Sequence, residues 1–167
     1  VSSYDLSSLA PADALIALRS FPRRYREALR PLDDDQVEEL ALRPGPDGRS
    51  AVEITIDTVR TWTIQQEALR QIRLADTPVV HPAVIDPAQR AWDANVTETL
   101  DEALAQVDDR VAALVDEVER VGSTGWTRSA TAAGGGSITA LDLVRESVKV
   151  GRDNLVAAEK VLDSHRR

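Results

Sequence analysis

The stretch 139–162, TALDLVRESVKVGRDNLVAAEKVL, constrains this chain more than any other. Leu141, Val144, Val148, Gly151, Leu155, Ala158 and Leu162 recur at alternating steps of three and four, so they share one stripe of an α-helix. Leu143, Ser147, Val150, Asn154 and Val161 form a second stripe beside it, while Asp142, Arg145, Glu146, Lys149, Arg152, Asp153 and Lys160 take the opposite side. Such a helix is buried over about half its circumference.

The preceding segments are read in the same way. Residues 2–10 are a polar lead-in, and Pro11 suits the first turn of a helix through Leu15, Ile16 and Leu18. Pro22 lacks an amide proton and crowds the preceding turn, which predicts a kink or restart near Phe21, with Tyr25 and Leu29 continuing inward. Asp33, Asp34 and Asp35 place negative charge at the start of a short helix through Val37, Leu40 and Leu42, and the 44–48 turn ends it. Residues 50–73 carry conflicting signals. Val52, Ile54, Thr55, Ile56, Thr58, Val59, Thr61, Trp62, Thr63 and Ile64 are residues that strands favour. Yet Glu53, Asp57, Arg60, Glu67, Arg70 and Gln71 gather on one side at helical spacing, opposite Ile54, Val59, Trp62, Leu69 and Ile72. The spacing predicts a helix, with Ser50 as N-cap and Glu53 closing a capping box. Residues 74–87, with Pro78, Pro82 and Pro87, read as a loop, and Asp86 is placed to cap a short helical piece through Trp92. A long helix is predicted over 96–121 from Leu100, Leu104, Val107, Val111, Leu114, Val118 and Val121, stopped by Gly122. Residues 123–137 then read as a loop containing Trp126 and Gly134, Gly135 and Gly136.

Four long amphipathic segments in 167 residues predict a single all-α domain, a four-helix bundle with short extra helices. No apolar run approaches the roughly 18 residues that span a bilayer. With no cysteine there is no disulfide, thiolate ligand or thiol nucleophile, and with no signal pattern the expected location is the cytoplasm. The net charge of −8, from 28 acidic against 20 basic residues, argues against binding a phosphate backbone. Arg19, Arg23, Arg24, Arg26 and Arg30 form a local basic cluster, but Glu27 and the aspartate run beside it read as one solvated face.

The order of features resembles the DinB-like superfamily, which includes the maleylpyruvate isomerase N-terminal domain and related mycothiol-type S-transferases. The shared features are a first helix with Leu15, Leu18 and Pro22; Pro44 and Ser50 ahead of a Ser-x-x-Glu helix start; and Gly125-Trp126 followed by Thr139-x-x-Asp142-Leu143. The resemblance implies a four-helix bundle, often dimeric, holding a divalent metal with three histidines. Those ligand positions fall here on Asp57, Val150 and Asn154, none of them histidine. Valine offers no lone pair, so the usual three nitrogen ligands cannot be assembled. Glu146 stands where some relatives place a further histidine, on the polar side of the helix.

Two readings of these positions stay open. Glu53 and Asp57 present two carboxylates one turn apart, and with the Asn154 amide oxygen they would suit Mg²⁺ or Ca²⁺ better than zinc. Alternatively Glu53 caps its helix, Asp57 pairs with Arg60, and Asn154 hydrogen-bonds within the space the metal left, to Asp57 if the two meet. His81 lies in the proline-bounded loop, where it could fold over the bundle mouth as an acid or base; His165 lies in the terminal tail. The glycine triplet before a helix has no P-loop Lys-Ser/Thr and reads as a lid or linker rather than a phosphate cradle. Trp62, Trp92 and Trp126 read as packing anchors, with Trp126 also a candidate to line a pocket. The ligand-pocket candidates are therefore Glu53, Asp57, His81, Trp126, Val150 and Asn154, with no resident metal or other cofactor expected. The sequence supports two functions: a non-catalytic or small-ligand-binding homodimer with a degenerate metal site, or a transferase or isomerase using a low-molecular-weight thiol with an atypical metal or none.

Overall fold

The computed structural model describes residues 6–32, 34–90 and 95–167. Asp33 and Trp92, both named above, lie outside the described residues. A 3₁₀ turn Leu6–Ser8 precedes α1 (Pro11–Leu29), α2 (Val37–Leu42) and α3 (Ala51–Leu74). The chain continues through β1 (Val79–Val80), α4 (Pro82–Ile85), a 3₁₀ turn Pro87–Gln89 and α5 (Leu100–Glu119), then β2 (Ser129–Ala132), β3 (Ser137–Thr139) and α6 (Ala140–His165).

The long helices begin where the local chemistry allows. Ser50 Oγ accepts from the Glu53 amide at 3.0 Å, Thr99 Oγ1 from Glu102 at 3.2 Å, and Thr139 Oγ1 from Asp142 at 3.2 Å. Each is a Ser/Thr-x-x-acid start that satisfies an orphan amide. The Thr99 cap moves the start of α5 to Leu100, four residues later than its apolar pattern implied. In α3 the helix prevails over strand propensity, and the threonines show how. Thr55, Thr58, Thr61 and Thr63 each turn the hydroxyl back to the carbonyl four residues earlier, at 2.8 to 3.1 Å. The hydroxyls of the buried Thr55, Thr58 and Thr61 are thereby satisfied inside the helix itself. Pro22 neither ends nor restarts α1, which continues to Leu29 with Phe21, Tyr25 and Leu29 fully buried. Core packing of those residues outweighs the one backbone bond that proline removes.

Side-chain registers give the topology. Gln66 meets Arg110 and Arg73 meets Glu117, a constant offset that makes α3 and α5 parallel. Thr58 meets Asn154 and Gln65 meets Ser147, so α6 runs antiparallel to α3. Arg19 meets Glu119 and Arg26 meets Asp108, so α1 runs antiparallel to α5. The order is up, down, down, up, with α3 and α1 each packed between α5 and α6.

Two consecutive parallel helices require a long return connection, and residues 75–99 provide it. Part of that return and of the 120–139 connection pair into a small sheet of order β1-β2-β3, with β1 parallel and β3 antiparallel to β2. Both segments were expected to be loops. The glycine triplet is the tip of the β2–β3 hairpin rather than a lid, with φ of +93°, +111° and +89° that only glycine adopts freely. Buried apolar residues from all four long helices form one cluster. Among the described residues, no helix is long and apolar enough to cross a membrane.

Candidate functional site

At the level of Gly151 the bundle centre is filled by rings. Phe21, Tyr25 and Trp62 are fully buried, with centroids 5.5 to 6.4 Å apart. They fit because α6 has no side chain there: a Cβ on Gly151 would lie 2.6 Å from the Phe21 ring and 2.7 Å from Trp62. The polar tips are accounted for. Tyr25 donates to the Gly151 carbonyl at 2.8 Å and lies 3.2 Å from Thr58 Oγ1, and Trp62 Nε1 donates to the Ser147 carbonyl at 2.9 Å. Burial pushes the Tyr25 phenol far above its ordinary range, against smaller lowering effects of Thr58 and Arg24. It is a fixed neutral donor within the packed rings.

Beside this plug, one of the expected positions on α6 reaches α3. Asn154 Nδ2 donates to Thr58 Oγ1 at 2.9 Å, so its partner is the residue beside Asp57 rather than Asp57 itself. Val150, one turn earlier on the same stripe, is 9% exposed and purely apolar. The Asp57 carboxylate accepts from, and ion-pairs with, the Arg49 guanidinium, a partner that helical spacing does not suggest. Arg60 acts on Asp57 as a nearby charge. Burial raises the Asp57 carboxyl above its ordinary range, Arg49 and Arg60 pull it down less strongly, and Glu53 pushes it up. Glu53 lies one turn before it, its amide on the Ser50 cap.

The other candidates stand elsewhere. His81 is exposed, and its Nδ1 accepts from the Ala83 amide at 3.0 Å, which makes it the cap of α4. His165 Nε2 lies 3.0 Å from the Arg43 carbonyl at the far end of α6. Trp126 is half-buried ahead of β2, its carbonyl accepting from Leu141. Glu146 is more enclosed than a polar-side residue: it pairs at 3.3 Å with Arg90, whose side chain is only 10% exposed and also donates to the Ala83 carbonyl at 2.7 Å. Arg49, Thr58, Tyr25 and Arg90 carry no signal as site residues in the sequence. The contacts that bring them to notice, with Asp57, Asn154, Gly151 and Glu146, span eight or more residues, beyond the reach of any local spacing rule.

These residues do not fit the three-histidine metal of the resembled family. Asp57 is already matched by a guanidinium, Val150 has no ligand atom, and Asn154 offers an amide oxygen in place of an imidazole nitrogen. Among the described residues no group of three or more His, Asp or Glu is placed to hold a metal ion. An open groove of about 730 Å³ runs elsewhere, between α1 and α6, lined by Arg24, Glu27, Leu155, Val156, Glu159 and Lys160 among others. None of the expected site residues lines it.

No family model and no curated protein matches the sequence. Among solved structures, YfiT from Bacillus subtilis, described as a probable metal-dependent hydrolase with an unusual four-helix bundle topology, is similar over 90% of this chain and 85% of its own, with a TM-score of 0.72 at 13% identity. At that identity the likeness carries the architecture alone: this chain has the four-helix bundle fold of YfiT, with short extra helices.

Proposed function

We propose that this chain is a DinB-like bundle that acts without a resident catalytic metal, as a small-ligand-binding or structural protein. One observation carries the reading. The α6 pair Val150 and Asn154, which would supply two of three ligands, consists of an alkyl group and an amide already bonded to Thr58. Metal-dependent hydrolysis, the chemistry described for YfiT, needs an open coordination position on a fixed metal. The donor set at these positions does not provide the ligands. Elemental analysis of protein purified without chelator tests the proposal. The expected result is no stoichiometric zinc or nickel, and one equivalent of either would overturn it.

A second reading, a transferase or isomerase using a low-molecular-weight thiol, draws support from the Thr58–Asn154 bond between α3 and α6 with Asp57 beside it in the chain. It requires turnover with such thiols that Asp57→Ala lowers. A cytoplasmic homodimer belongs to both readings; a monomer mass by light scattering at micromolar concentration would remove the dimer.

A further inference from the structure

Arg49 is held in place before it reaches Asp57. Its amide donates to the Asp47 carboxylate at 3.2 Å, and its carbonyl accepts from Gly45 at 2.8 Å, so the 45–49 turn fixes both its backbone groups. The next residue, Ser50, caps α3, and Asp57 follows within the second turn of that helix. The guanidinium therefore reaches a carboxylate on a rigid helix from a rigid turn. The Asp57 side chain is 20% exposed, with Glu53 a like charge one turn before it and Arg60 a positive charge nearby that acts beside Arg49. A carboxylate so enclosed needs a counter-charge close by. On α6, Asn154 bonds to Thr58, the residue beside Asp57, and Val150 one turn earlier is apolar, so neither brings a positive charge.

We propose that Arg49 is a tethered cation at Asp57, supplying through the chain the positive charge that a bound metal would bring and closing this position to divalent ions from solution. The proposal rests on the metal-free reading above and assigns Arg49 a role within it. Guanidinium donates without accepting, so the pair neutralises Asp57 while creating no ligand for anything else. Because the cation is attached, an ion from solution competes against an effective concentration on the order of millimolar or more.

Mn²⁺ is the probe, titrated into wild type, Arg49→Ala and the double variant Arg49→Ala/Asp57→Asn. Loss of the free-ion paramagnetic resonance signal reports binding, and the melting temperature is read in parallel. Wild type is expected to leave the signal and the melting temperature unchanged. Arg49→Ala should bind Mn²⁺ at least about tenfold more tightly than wild type, since the hydrogen-bonded competitor is gone and only the nearby charge of Arg60 remains, and the double variant should lose that gain. If Arg49→Ala does not fold by circular dichroism, Arg49→Gln, which keeps the stem, takes its place. Equal binding by wild type and the Arg49 variant, or no Asp57-dependent gain, overturns the proposal. The two ideas fail separately. Zinc or nickel carried by wild type from purification breaks the functional reading, whereas a metal-free wild type with an unresponsive Arg49 variant breaks the tethered cation alone.

Discussion

The α3–α6 and α1–α5 interfaces join helices in the same antiparallel sense, yet they use polar groups in opposite ways. Between α3 and α6 the polar contacts are neutral and largely buried: Asn154 to Thr58, Ser147 to Gln65, and Trp62 to the Ser147 carbonyl. Between α1 and α5 they are charged and open to water: Arg19 with Glu119, Arg26 with Asp108 and Arg30 with Asp101, every partner at least 39% exposed. A buried hydrogen bond loses its solvation whether or not its partner is present, so each α3–α6 contact penalises a slip in register. A rim ion pair exchanges its partner for water at little cost. The first interface specifies alignment, and the second decorates an alignment that apolar packing already sets.

The largest expected effect comes from adding a side chain at Gly151, where the rings already fill the specifying interface. Gly151→Ala places a methyl group 2.6 Å from the Phe21 ring, with Trp62 directly behind it. Alanine gains roughly 1 kcal/mol in helix propensity. Overpacking of a fully buried aromatic cluster opposes this with about 3 kcal/mol, so a net loss of about 2 kcal/mol is expected by equilibrium urea denaturation. A variant as stable as wild type would show that the rings repack freely, and the contrast between the two interfaces would fail.

Ser147→Ala should follow. It removes the hydroxyl that donates to Gln65 Oε1 at 2.8 Å, leaving a fully buried amide whose Nε2 already has no partner. The expected loss is about 1 to 3 kcal/mol, the desolvation penalty of an orphaned polar group. Restoration of most of that stability by the double change Ser147→Ala/Gln65→Leu would sharpen the point, since it removes the orphan along with the bond. No restoration would mean that Gln65 finds water.

Both interfaces were partly legible from spacing. The apolar stripes of α6 pointed inward as a period of three and four requires, and Val144, Val148, Leu155 and Leu162 are all buried. The side of α3 holding Ile54, Trp62, Leu69 and Ile72 was equally clear, because Ser50 and the charged side together outweighed β-branched propensity. The small sheet was not legible. Val79 and Val80 pair with Thr131 and Ala132 some fifty residues away, and two- to four-residue strands carry no periodicity. Nor was the arrangement around Asp57. Helical spacing points to Arg60, one turn on, and says nothing of Arg49, which reaches Asp57 from a turn outside the helix, where that rule does not apply. The Thr99-x-x-Glu102 start of α5, by contrast, stands in the sequence, where the apolar Val96 obscures it.

Asp57 tests the boundary between the two kinds of interface, since it is a charge at the edge of the buried one. Its carboxyl is raised in the folded protein, with burial the largest cause. The folded state therefore holds the proton more tightly than the unfolded chain. The resulting stabilisation is full below the ordinary carboxylate range of about 4 and is lost as pH rises through the higher folded value. Asp57→Asn, which never ionises, should match wild type in acid and gain on it toward neutral pH. Denaturation midpoints of both proteins across that window check the sign. A variant that instead loses ground as pH rises would mean that the Arg49 pair outweighs burial.

The smallest effect belongs to the α1–α5 rim. Arg26 and Asp108 make a two-pronged ion pair, the geometry most favourable for a surface contact. Both side chains nevertheless remain 45% and 39% exposed, so water and salt compete for them throughout. A double-mutant cycle with Arg26→Ala and Asp108→Ala should return a coupling of about 0.5 kcal/mol, shrinking further as added salt brings the Debye length to about 3 Å near 1 M. Persistence of that coupling in high salt, or a value above about 2 kcal/mol, would place the pair in the register-setting class with Thr58 and Asn154. The charged interface would then specify the alignment of α1 as the neutral one specifies that of α6.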